Sequence, residues 1–120
     1  MDEKNLHTLE YFKVLNRLAD YTAFAGSRDM ALALRPTRDI FEARQRQADT
    51  AEAVRFLVTR PDFTIGGVRD VRGPVDLASH GGVLTAPELL DIKSTLVAAR
   101  NISRTFERLK DQFPNLTSLV

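Results

Sequence analysis

The chain has 120 residues, of which seventeen are basic and sixteen acidic, for a net charge of +1. So even a balance gives no field that would pull the whole domain onto nucleic acid or an anionic membrane, and any such binding needs a local patch. The absence of cysteine excludes disulfides, thiolate zinc sites and a cysteine nucleophile. No apolar run approaches the ~20 residues that cross a bilayer, which with the charged start 1–5 suits a cytoplasmic, well-solvated helical protein.

Residues 9–25 form the first predicted helix, with Tyr11, Val14 or Leu15, Leu18 and 22–25 recurring at three- and four-residue steps. Gly26 interrupts it, and Ser27 is the expected N-cap of a short helix to Leu34. Pro36 stops that helix because the residue before proline is pushed out of the helical region. A long helix then runs from 37–39 to about Thr59, with Asp39 suiting its positive end. Its apolar line is Ile40, Ala48, Ala51, Val54 and Val58. Pro61 ends it, and Phe63 to Gly67 reads as irregular. Pro74 sits at the first position of a short helix that ends near His80.

The segment 80–92, HGGVLTAPELLDI, carries the densest local signals. Gly81 can take the left-handed conformation that closes a helix. Thr85 and Glu88 have the spacing of a reciprocal capping box, with Leu84 and Leu89 placed as a hydrophobic staple. The helix that follows runs to about Gln112 along Leu89, Ile92, Leu96, Ala99, Ile102, Phe106, Leu109 and Phe113. The fold class is therefore all-α: an irregular helical bundle with one long C-terminal helix over about 85–112. Residues 115–120 are the expected start of another element.

The sequence has no phosphate-loop motif. His7 and His80 are the only histidines, and neither has ligands at metal-site spacing, so no metal or cofactor is expected on this chain. Asp76, Ser79 and His80 could be assembled into a hydrolytic triple, but no nucleophile elbow accompanies them. Arg100, Arg104 and Arg108 form an i, i+4, i+8 basic line that reads either as a phosphate-contacting edge or as a solvated face. Arg38, Arg44 and Arg46 make a weaker second cluster.

Several stretches, in order, resemble the helical core domain of the MutS family: TLEYF at 8–12, YT at 21–22, GSR at 26–28, LRP at 34–36 and DI at 39–40. IGGVRD at 65–70, GGVL at 81–84 and PELLDI at 87–92 look like its second bacterial branch, MutS2, in particular. The resemblance implies that 1–120 is the N-terminal part of a helical core and lever domain. In that reading it is a scaffold and transmission element, non-catalytic by itself, in a homodimeric ATPase that usually carries a nuclease domain. It further implies that ATP and Mg are held outside these residues, and that the parent acts on branched DNA or on ribosomes. No catalytic residue of the family falls on these positions. The alternative from the residues alone is a self-standing helical adaptor that binds another protein through the Leu89–Phe113 face.

Overall fold

The computed structural model describes residues 2–120, which form seven helices and no strand among the described residues. They are α1 (Glu3–Thr8), α2 (Tyr11–Ala19), α3 (Ala25–Leu32), α4 (Ile40–Thr59), α5 (Arg72–Ser79), α6 (Ala86–Leu109) and α7 (Pro114–Thr117). They group into two compact units, one of residues 2–36 and 69–92 and the other of 37–68 and 93–120. The all-α class stands as read from the sequence, and so does the long helix near the C-terminus, except that it ends at Leu109 instead of about 112, where the Gln112 and Phe113 N–H groups both turn back onto the Leu109 carbonyl.

In the first unit the single helix expected over 9–25 is replaced by shorter pieces. Glu10 adopts the left-handed conformation at φ 53°, which separates α1 from α2. At the other end, the Thr22 hydroxyl donates to the Ala19 carbonyl at 2.6 Å and closes α2 at Ala19. Phe24 is then extended and begins α3. Ser27 is the third residue of α3, not its N-cap: its Oγ accepts from the Phe24 N–H at 3.4 Å and donates to the Phe24 carbonyl at 2.9 Å. Gly26 lies inside that first turn rather than breaking a helix, and a Cβ there would stand 2.6 Å from Phe24 Cε2. Leu6, Leu15, Ala19 and Ala31 are the buried apolar residues of this unit.

α5 begins two residues before the position predicted from Pro74. Val71 is the N-cap and offers no side-chain cap, while the Asp70 carboxylate before it accepts the Arg72 N–H at 3.2 Å; the helix starts at Arg72 and leaves Pro74 third in the first turn, where no N–H is required. The Arg72 guanidinium reaches Asp70 at 2.7 Å and, across 43 residues, Asp29 of α3 at 2.9 Å. These hydrogen bonds from Arg72 hold the Asp70 carboxyl down at about 2, against an ordinary 3.8.

α5 ends as its glycines require. The N–H of Gly81 bonds the Ala78 carbonyl at 3.0 Å and that of Gly82 bonds Leu77 at 2.9 Å, with Gly81 at φ 80°. This is a Schellman closure. The next start follows three residues on. Thr85 N–H donates to the Glu88 side chain at 2.7 Å, and Glu88 N–H donates to Thr85 Oγ1 at 3.4 Å. Both Thr85 bonds, the backbone one foremost, lower the Glu88 pKa from its ordinary value.

The second unit is organised by phenylalanine. Phe56 of α4, Phe106 of α6 and Phe113 ahead of α7 are buried together, and Phe63, Ile102, Leu109 and Leu116 pack around them. The Phe56 ring centroid lies 4.8 Å from Phe63, 4.9 Å from Phe106 and 5.3 Å from Phe113, in tilted and edge-on arrangements that aromatic quadrupoles favour. Asp39 caps α4 by accepting from Phe41 N–H at 2.8 Å and Glu42 N–H at 3.4 Å.

This cluster overturns the expected inner face of α4. Ala48, Ala51, Val54 and Val58 point outward, Val58 being 77% exposed, and Ile40 is exposed too. Val54 and Val58 are each two residues from Phe56, so they lie about 160° around the helix from it. The large ring sets the rotation, and the residue one turn earlier, Glu52, comes in with it to 2% exposure. Its side chain accepts the Leu116 N–H of α7 at 2.6 Å and lies 3.6 Å from Arg55.

Truncating Phe56 to alanine is expected to cost about 3–5 kcal/mol, and Glu52→Ala about 1–3 kcal/mol because it orphans the Leu116 N–H. Glu52→Gln keeps an acceptor and should cost clearly less, and Val58→Ala should stay within about 0.5 kcal/mol. Urea denaturation of each variant measures this; equal costs for Val58→Ala and Phe56→Ala would show the helix turned the other way. Since Asp70 titrates lower in the folded state, its contribution is present above pH 3.8 and is lost as pH falls toward about 2. Asp70→Asn should therefore flatten the stability profile in that window, and parallel acid-denaturation curves would contradict the bonding described.

Candidate nucleic-acid interface

The capping box starts α6, and Ile102, Phe106 and Leu109 set its rotation by packing into the phenylalanine cluster. The predicted apolar stripe is core only in this later half. Leu89, Leu90, Leu96, Val97 and Ala99 are exposed, Leu96 at 65%, whereas Ala98 turns inward. Ser94 next to it donates to the Gly67 carbonyl at 2.7 Å, so a polar contact, not an apolar one, faces the 60–68 loop there.

With that rotation, Arg100, Arg104 and Arg108 all face solvent. Residues four apart on a helix differ by about 40° in direction, so the three guanidinium groups follow one gently turning edge. None has a carboxylate partner among the described residues. The nearest acid in sequence, Glu107, is taken by Lys110 at 2.9 Å, which also raises the Lys110 pKa. Like charges at i, i+4 destabilise a helix by a few tenths of a kcal/mol per pair. The row is thus a small standing cost to α6 that an anion would relieve.

Two clefts flank this edge. A shallow one of about 320 Å³ includes Arg104 with Ser103, Glu107, Thr117 and Val120. The other, about 380 Å³, lies between the 62–66 loop and α6, lined by Asp62, Phe63, Thr64, Gly66, Ala98, Asn101, Ile102 and Thr105. The sequence reading named none of these as site residues. The available signal was Asn101, a weak helix former set in the middle of a long helix.

The second basic cluster does not assemble. Arg44 and Arg46 are two apart and point to nearly opposite sides of α4. Arg46 is engaged by Glu42 at 2.6 Å. Asp76, Ser79 and His80 do come together, but on a single ring nitrogen. His80 Nδ1 lies 2.8 Å from the Asp76 carbonyl, 3.2 Å from Ser79 Oγ and 3.7 Å from Asp76 Oδ1. A relay needs the two imidazole nitrogens to face different partners. Here all contacts lie within the last, exposed turn of α5, where they close the helix.

Three related proteins align with almost the entire chain. It is 38% identical over 119 residues to endonuclease MutS2 of Symbiobacterium thermophilum, which covers 99% of this chain and 15% of that protein. It is 35% identical over 112 residues to endonuclease MutS2 of Alkaliphilus metalliredigens, and 36% identical over 120 residues to that of Bacillus cereus strain Q1. The chain belongs to the MutS2 family. It spans about 15% of the length of the curated MutS2 relatives it matches. No family model matches the chain, and no solved structure matches it. No helix is long and apolar enough to cross a membrane among the described residues.

Proposed function

We propose that this chain is a non-catalytic helical frame of a MutS2-type, nucleic-acid-acting ATPase, and that Arg100, Arg104 and Arg108 are its phosphate-contacting edge. The observation that carries the reading is identity to named MutS2 endonucleases over nearly the whole chain. The unpaired arginine row supports the second half, because it is the one feature of the sequence reading that a polyanion would satisfy. In this reading ATP and Mg bind elsewhere in a longer homodimeric cytoplasmic protein. The frame passes position between that ATPase and the nucleic acid, whether branched DNA or ribosomal RNA. A stiff helix such as α6 suits the task, since a loop would absorb the displacement.

A second reading, a helical adaptor for another protein, is favoured by the exposed Leu89, Leu90, Leu96 and Val97 on α6. Sedimentation across a concentration series checks whether that face joins two copies of the chain: the frame reading expects no self-association driven by Leu96, so Leu96→Glu should leave the sedimentation coefficient unchanged.

The arginine edge is tested by anisotropy with labelled duplex at two salt concentrations. Binding is expected to be weak, with each phosphate contact adding about 0.9 to the salt slope. Arg104→Glu should lower both affinity and slope. Superimposable curves for wild type and variant would remove these arginines from the interface.

A further inference from the structure

We infer that the cleft between the 62–66 loop and α6 takes an unstacked nucleobase, so that the preferred ligand is single-stranded nucleic acid rather than duplex. The inference rests on the phosphate-edge reading of the arginine row and adds a base site beside it.

Three observations place a base there. The first is the floor: Phe63 and Ile102 offer an apolar surface, and Phe63 is held edge-on to Phe56 at 4.8 Å, so its ring is fixed before any ligand arrives. A fixed ring is a stacking surface for any base. The second is the rim. The Asn101 amide and the Asp62 carboxylate make no hydrogen bonds among the described residues, yet both line the cleft. Together they offer one pair of donors and several acceptors, the complement of a base edge that carries an amino group beside a ring N–H or carbonyl. The third is register. Arg104 follows Asn101 by three residues on α6, so the two are neighbours on the helix surface, about 5–6 Å apart at Cβ. That sets the arginine row one helical step from the cleft, with Arg104 itself lining the neighbouring one. A cleft of about 380 Å³ admits one base and no helix of stacked pairs.

Duplex DNA would keep its bases stacked and could use only the arginines. A single strand can splay one base into the cleft while its phosphates follow the row, which is how proteins commonly read unpaired nucleic acid. Asp62 sharpens the assignment. It would repel a phosphate placed in the cleft and accept from the amino or imino group of a base.

The test uses the 120-residue chain and three fluorescein-labelled ligands of equal length: a mixed-sequence single strand, the same strand with abasic residues, and the duplex. Anisotropy at low salt should give the base-bearing strand about fivefold or more tighter binding than the abasic strand, the lower range for one stacked base. Asn101→Leu removes the amide from the cleft and has higher helix propensity, so the fold is kept. It should narrow the gap between the base-bearing and the abasic strand and leave the abasic strand unchanged. Arg104→Glu should weaken both strands. If intact and abasic strands bind equally while Arg104→Glu weakens both, the base site is refuted and the phosphate edge stands. Tighter binding of duplex than of single strand refutes it as well. Failure of every ligand to bind refutes both readings.

Discussion

Phe56 is the residue on which the second unit turns. Its ring touches Phe63, Phe106 and Phe113, so one side chain joins α4, the 60–68 loop, α6 and the segment ahead of α7. Because Phe106 is pinned, the opposite face of α6 is committed to solvent, and the arginines go with it. Because Phe63 is pinned, the loop stands off α6 at a distance that leaves a cleft instead of a closed seam. The candidate interface is therefore a by-product of aromatic packing several side chains away. Nothing in the arginines themselves sets their direction.

The two ends of α6 differ in how they are held. Its start is defined locally, by the Schellman closure of α5 and by the Thr85–Glu88 box. Its later half is defined by long-range contact with the phenylalanines. Between these ends, Leu96 and Val97 are apolar and exposed, directly before the first arginine. The outward face of one helix thus changes from greasy to cationic within about one turn.

Much of the helical plan was legible in the residues. Gly81, Gly82, Thr85 and Glu88 each carry a steric or hydrogen-bonding demand that only neighbours in sequence have to meet, and these elements fall where they were placed. The inner faces were less legible. Periodicity on α4 picked out Val54 and Val58, because apolarity was counted by position and ring size was not weighed. Phe56 offers more surface than either valine, and it drew Glu52 inward, a result that hydropathy ranks last. The boundary at Thr22 was missed because a side chain that satisfies a carbonyl three residues back leaves no pattern in hydrophobicity. The arginine row was visible as spacing, but its lack of partners was not, since Glu107 could equally have served Arg104. The cleft was invisible, since its walls come from segments about forty residues apart.

Glu52 gives α7 a particular character. Four residues of helix, Pro114–Thr117, are held on one side by Leu116 packing and on the other by a buried oxygen that accepts a single backbone N–H. When α7 lifts away, that oxygen regains water, and the hydration offsets part of the lost packing. An alkyl side chain in the same place would gain nothing from solvent. The same turn lies against the backbone of Phe106 through the Thr117 hydroxyl at 3.3 Å.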